Sequence, residues 1–133
     1  MIFRNSASQR CLDADLNTIG GNGTTVQLWD CNREPQQGWV LESDGALRNI
    51  RSGRCLDMDV FGGGQNGNRV QLWDCNGAPW QRWAVRENGS INSLWQNPRE
   101  NYVCLDADLF TIGRNGTVVQ GWGCNGEPQQ TWY

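Results

Sequence analysis

The chain has 133 residues, 38% of them hydrophobic, and carries a net charge of −3 with no histidine. That length suits one domain with its own core, and no run nears the roughly 20 apolar residues of a membrane span. The acidic balance and the lack of a Lys/Arg cluster argue against a nucleic-acid partner, whose binding rests on a basic surface.

From Met1 to about Glu42 the chain reads as short strands near Ile2 to Asn5, Arg10 to Asp13, Thr25 to Asp30 and Gly38 to Glu42. Gly, Asn and Pro separate them, and nothing shows helical periodicity. Two more copies of this pattern follow, from about Ser43 to Arg86 and from Glu87 to Tyr133. Each copy runs from a C-L-D start at Cys11, Cys55 or Cys104, through Asn22-Gly23, Asn66-Gly67 or Asn115-Gly116, to a Q-x-W ending at Trp39, Trp83 or Trp132. Between these lies Val26-Gln27-Leu28-Trp29-Asp30-Cys31, repeated from Val70 to Cys75 and, with Gly121 and Gly123 in place of Leu and Asp, from Val119 to Cys124. Cys31 to Cys75 is a step of 44 residues and Cys75 to Cys124 one of 49, the spacing of a repeat architecture. The five extra residues fall around Trp95-Gln96-Asn97-Pro98-Arg99 and read as a surface loop insertion. Three copies of about four strands predict an all-β chain: a β-trefoil of three pseudo-symmetric repeats filling residues 1–133, which a propeller of four or more blades fits less well.

The six cysteines fall two to a copy, each pair 20 residues apart, and the repeat selects three local bridges: Cys11 with Cys31, Cys55 with Cys75, Cys104 with Cys124. A structural zinc site would need C-x-x-C or Cys/His spacing, which this chain lacks. Bridges imply an oxidising compartment, hence a secreted or extracellular protein. Met1-Ile2-Phe3-Arg4 is not a signal peptide, which suggests a mature or excised module, or a protein made without export.

Strand parity assigns faces. Val26 and Leu28 share the core face, while Gln27, Trp29 and Cys31 share the other, with Val70 and Leu72 set against Gln71, Trp73 and Cys75 in the second copy. A Cys11–Cys31 bridge would bring Asp13 to Gln27 and Trp29. The same holds for Asp57 with Gln71 and Trp73, and for Asp106 with Gln120 and Trp122. Acid, amide and indole together suit a sugar, whose apolar face stacks on an aromatic ring and whose hydroxyl rim needs donors and acceptors. The Q-x-W tryptophans, beside Val40, Ala84 and Val85, are assigned to the core.

The triplicate C-L-D, N-G, V-Q-x-W and Q-x-W set resembles the ricin B-chain type lectin repeat, also found in family 13 carbohydrate-binding modules of secreted glycoside hydrolases. The resemblance implies up to one sugar site per copy. In it Asp13 binds hydroxyls, Trp29 is the stacking platform, Gln27 a nearby polar group, and Gln37 orients the acid. Gln81 and Gln130 take the place of Gln37 in the other copies. Where the family often has Asn before the Q of Q-x-W, this chain has Gln36, Trp80 and Gln129. Trp80 cannot bond in both directions as an amide does, and Gly121 and Gly123 are expected to loosen the strand under Trp122. The sites therefore rank first, third, second. No catalytic residue and no metal ligand is assigned.

Each copy has a second acid, Asp15, Asp59 or Asp108, forming D-x-D with the first. The plainer reading is a cap on the following turn; a calcium ion shared by the pair Asp13 and Asp15, or by its equivalents, is the alternative, although the EF-hand pattern is not met. No other cofactor is expected. The N-G-T and N-G-S triplets match a glycosylation sequon but read first as turns. Asn17, Phe61 and Phe110 stand where a rim contact could tune specificity, and Trp95 is either an exposed aromatic or packed under its loop. The expected function is non-catalytic binding of mono- or oligosaccharide units by weak sites acting multivalently, as a monomer or as part of a larger enzyme, without membrane insertion. The alternatives are a protein-binding or inhibitor-type trefoil, like fibroblast growth factors or Kunitz-type inhibitors, and, less favoured, a glycoside hydrolase. Three equivalent acids fit a hydrolase poorly, because hydrolysis needs two distinct roles.

Overall fold

In the computed structural model, which describes residues 1–62, 65–98 and 102–133, the alternating runs become short antiparallel strands. In chain order these are β1 (Cys11–Ala14), β2 (Thr24–Trp29), β3 (Trp39–Leu41), β4 (Leu47–Asn49), β5 (Cys55–Met58), β6 (Asn68–Trp73), β7 (Trp83–Val85), β8 (Ile91–Ser93), β9 (Val103–Ala107) and β10 (Thr117–Gly123). Single 3-10 turns at Pro35–Gln37, Pro79–Gln81 and Pro128–Gln130 precede each Q-x-W tryptophan. Proline suits the first position of such a turn, since its missing N–H would have had no partner there.

Three long hairpins, β1–β2, β5–β6 and β9–β10, form one layer. Their second strands also pair with each other around the pseudo-threefold axis, through Thr25 with Gln71, Thr117 with Leu28 and Gln120 with Arg69. The other layer holds β3–β4 and β7–β8, each joining one copy to the next. The ring closes where Asn5 bridges Trp132 and Arg4 exchanges backbone hydrogen bonds of 2.7 and 2.9 Å with Tyr133. This is the β-trefoil the repeats predict. The expected first strand, Ile2 to Asn5, is an exception: only Arg4 and Asn5 bridge. Its shortness has a local cause, because Asn5 Oδ1 accepts the N–H groups of Ala7 and Ser8 and turns the chain away.

Parity is realised in the burial pattern. Along β2, Thr24, Val26 and Leu28 are buried while Thr25 and Trp29 are exposed, and β6 repeats this. The core unites Leu12, Leu28, Leu56, Leu72 and Leu105 with Trp39, Trp83 and Trp132. Each buried indole needs a partner for its N–H. Trp39 Nε1 donates to Leu12 O at 3.1 Å, Trp83 to Leu56 O at 3.0 Å and Trp132 to Leu105 O at 3.1 Å, so the Q-x-W ending locks onto the C-L-D strand of its own copy.

Gly121 does not loosen the third copy. A Cβ there would lie 2.8 Å from Val103 Cγ1 and 3.1 Å from Met58 Sδ. Val103 stands where the other copies have Arg10 and Arg54, and Met58 where they have Ala14 and Ala107. Val103 and Met58 thus fill the space of the missing Leu, and β10 pairs with β9 over five positions. In the insertion, Trp95 is partly buried and packs against the core; Arg99 lies outside the described residues.

The three predicted bridges are present, with S–S separations of 2.03, 2.01 and 1.95 Å, and among the described residues there is no free cysteine. They tie the end of each V-Q-x-W strand to its C-L-D partner. The Asn-Gly turns add a contact the repeats do not announce. Asn22 Oδ1 accepts from Asp74 N at 2.8 Å and Arg54 Nε at 3.1 Å in the next copy, and its Nδ2 reaches Asp74 Oδ2 at 3.2 Å. Asn115 makes the same three bonds to Asp30 and Arg10 of the first copy, at 2.8, 3.0 and 3.0 Å. Asn66 reaches Gly123 N at 2.7 Å, because Val103 and Gly123 replace the Arg and Asp that would complete the set. The glycine after each Asn takes a positive φ, 93°, 88° and 91°, which makes the turn possible.

Candidate functional site

The strand registers Asp13 with Gln27, Asp57 with Gln71 and Asp106 with Gln120 directly opposite each other, and Cys11 opposite Trp29. Gln27 Nε2 donates to Asp13 Oδ1 at 3.1 Å, with 3.3 Å for Gln71 to Asp57 and 3.0 Å for Gln120 to Asp106. The second carboxylate oxygen accepts from below: Gln37 Nε2 to Asp13, Gln81 to Asp57 and Gln130 to Asp106, all at 2.9 Å. Gln37 is fully buried and both hydrogens of its amide are in use. It also donates to Asp30 O at 2.9 Å and accepts from Asn32 N at 3.0 Å, and Gln81 and Gln130 do the same in their copies. Each of these three glutamines thus bonds the acid of its own copy through a buried amide.

Each acid sits at the floor of an open hollow, of about 260 Å³ in the first copy, 370 Å³ in the second and 380 Å³ in the third. One wall is the indole of Trp29, Trp73 or Trp122, exposed to nearly the same extent in each copy at 40, 39 and 37%. Equal exposure means that the glycines beside Trp122 have not displaced its ring. Gln36 and Gln129 are nearly buried and line the first and third hollows. Trp80 takes that place in the second, half-buried. Its indole N–H can only donate, where an amide both donates and accepts. The structure therefore brings together all fourteen candidate residues, in three groups.

Burial raises the pKa of Asp13, Asp57 and Asp106 above the usual carboxylate range. The glutamine bonds oppose this rise, and the neighbouring acids Asp15, Asp59 and Asp108 add to it. Those neighbours are occupied by their own turns. Asp15 Oδ1 accepts Asn17 N at 3.0 Å, Asp59 Oδ1 accepts Phe61 N at 3.0 Å and Asp108 Oδ1 accepts Phe110 N at 3.2 Å. Among the described residues no group of three or more His, Cys, Asp or Glu converges as a metal ion would require.

One feature of the hollows lies outside what the repeats announce. Asn32, Asn76 and Asn125 line them, each with its Oδ1 holding the backbone two residues on at 2.9 Å. An Asn directly after the second cysteine of every copy was the available signal. Phe61 and Phe110, the rim residues expected from the sequence, are almost wholly exposed, at 97 and 100%, at the edge of the second and third hollows. An indole wall, a carboxylate with free lone pairs and amides at the edge can hold a ring whose one face is CH and whose rim is hydroxyl.

A family model described as a ricin-type beta-trefoil lectin domain matches residues 1–132. No curated protein matches the chain in sequence. Among solved structures, the chain is similar to the agglutinin from Abrus precatorius, with a TM-score of 0.77 at 27% identity over 99% of this chain and 46% of that one. The hemolytic lectin CEL-III gives 0.76 at 27% identity, over 98% of this chain and 28% of that one. ThreeFoil, a designed threefold-symmetric protein, gives 0.80 at 21% identity over 98% and 94%, a likeness of fold alone. The chain thus spans less than half the length of the agglutinin and of the hemolytic lectin.

Proposed function

This chain belongs to the ricin-type β-trefoil lectin family, and from that premise we propose that its three hollows bind sugar units weakly and act together on a polysaccharide or glycan surface. The supporting observation is the threefold recurrence of one constellation, a buried acid held by two glutamines beside a half-exposed indole. A shallow site of this kind gives a Kd on the order of millimolar, about 4 kcal/mol. Holding several on one rigid body raises avidity on a repeating polymer by roughly 10²-fold or more without any new contact.

On this reading Asp13, Asp57 and Asp106 accept from sugar hydroxyls, Trp29, Trp73 and Trp122 stack, and Gln27, Gln71, Gln120, Gln36 and Gln129 complete the rim. The chain binds and does not cleave, works without a metal ion, and serves extracellularly, where its disulfides persist. It is either a stand-alone lectin or the targeting module of a longer protein such as a glycoside hydrolase. Titration of monosaccharides followed by intrinsic tryptophan fluorescence tests the site. Asp13→Ala should remove the contribution of the first hollow, with or without a chelator present. Sugar binding identical in the variant would sink the assignment.

A further inference from the structure

Two hollows larger than the repeated ones, about 570 and 530 Å³, adjoin each other in the third copy and share Arg86 and Tyr102 as lining. Both residues are exposed. Each of the three repeated hollows is floored by an acid; here no Asp or Glu lines either cavity among the described residues. The origin of the difference is a swap between copies. In the first, Glu42 follows Trp39 by three residues and pairs with Arg48 at 2.9 Å, Nε to Oε1. In the second, the same offset from Trp83 gives Arg86, whose Nε donates to Asn92 Oδ1 at 2.7 Å. Asn92 stands where Arg48 did, is nearly buried, and is fixed by its own bond to Ser93 O at 3.1 Å. A neutral ion pair has become a cation anchored on a neutral amide.

Arg86 has no ion pair among the described residues. Anchoring through Nε leaves the two terminal nitrogens as a planar fork, the geometry that grips a carboxylate with two parallel bonds. Around it the lining is neutral and polar, from Asn88 and Ser90 on one side to Gln96 on the other, with the Tyr102 ring between and the edge of Trp95 beyond. The geometry points to a fourth ligand site, for an acidic sugar, a uronic-acid residue of an oligosaccharide whose carboxylate sits on Arg86 and whose hydroxyls meet the amides on either side. It rests on the carbohydrate reading for the body of the ligand; the carboxylate follows from Arg86 alone. An anion would be disfavoured in the three acid-floored hollows, so the two kinds of site divide ligands by charge.

The test uses the whole chain with three probes, trigalacturonate, neutral galactotriose and a sulfated galactose trisaccharide, followed by NMR on the Trp95 indole N–H and the Tyr102 ring. Trigalacturonate should shift both signals and weaken with salt. Arg86→Gln should lose about tenfold or more of that affinity, the worth of a charged hydrogen bond, while Arg86→Lys loses less. Asp13→Asn combined with Asp57→Asn and Asp106→Asn should leave trigalacturonate binding intact, which separates this site from the repeated ones. Undiminished binding in Arg86→Gln, or no binding of trigalacturonate by the unaltered chain, overturns the proposal. Tighter binding of the sulfated probe than of trigalacturonate overturns the carboxylate assignment.

Discussion

Gln37 touches no ligand in this account, yet replacing it with Leu should disable the first site and weaken the fold. Its side-chain amide makes three bonds, to Asp13 Oδ2, to Asp30 O and from Asn32 N, at 2.9, 2.9 and 3.0 Å. A buried group left without its partner costs about 1–3 kcal/mol, and Leu abandons three groups at once. Water entering from the hollow can satisfy part of the Asp13 carboxylate, so the net loss is about 3 kcal/mol, roughly 10 °C in Tm for a chain of this size. The assays are thermal denaturation and sugar titration across pH. The Gln37 bond lowers the pKa of Asp13, so its removal lets burial push that pKa higher. First-site binding should then be lost at a higher pH than in the unaltered chain, a shift that simple loosening would not produce. Unchanged Tm together with an unchanged pH profile would refute the reasoning; the parallel changes Gln81→Leu and Gln130→Leu give two further trials of it.

Acidification should move binding and stability in opposite directions at these acids. Sugar bonds need the carboxylate, so affinity falls as pH drops through the raised pKa values of Asp13, Asp57 and Asp106. A carboxyl whose folded pKa lies above its unfolded value contributes stability that is full below the unfolded pKa and lost as pH rises through the folded one. Replacing all three with Asn should therefore flatten that part of the stability profile, measured by denaturant unfolding between the unfolded and folded pKa values. Asn115→Ala should cost about 1–3 kcal/mol in the same assay and Asn66→Ala less, since the first loses three inter-copy bonds and the second one. Gly121→Ala should cost about 1–3 kcal/mol through its approach to Val103, and adding Val103→Ala should recover part of it. Equal melting temperatures for Gly121→Ala alone and for the pair would contradict that explanation.

Strand parity was enough to separate Val26 and Leu28 from Gln27 and Trp29, because a period of two leaves no other face for either set. The buried Q-x-W tryptophans are legible from the apolar residues beside them, Val40, Ala84 and Val85, and the three bridges from the repeat. What stayed hidden was contact between copies. A repeat describes what each copy does to itself, so nothing in it says that Asn22 reaches Asp74 or that Asn115 reaches Asp30. Gly121 misled for a similar reason: its space is filled by Val103 from β9 and by Met58 from the second copy, two changes distant in sequence that matter only together. Arg86 carries no such signal, because it stands where the first copy has Glu42 and so departs from the repeat.

The central claim is that one acid and one indole per copy make a sugar site, three times over. Isothermal titration of the neutral oligosaccharide that binds best on a glycan array, with Asp13→Asn, Asp57→Asn and Asp106→Asn introduced singly and then together, tests it most directly. The account predicts that each single change removes one binding equivalent and that the triple variant, still folded, binds no neutral sugar. A triple variant that binds with undiminished stoichiometry would contradict it.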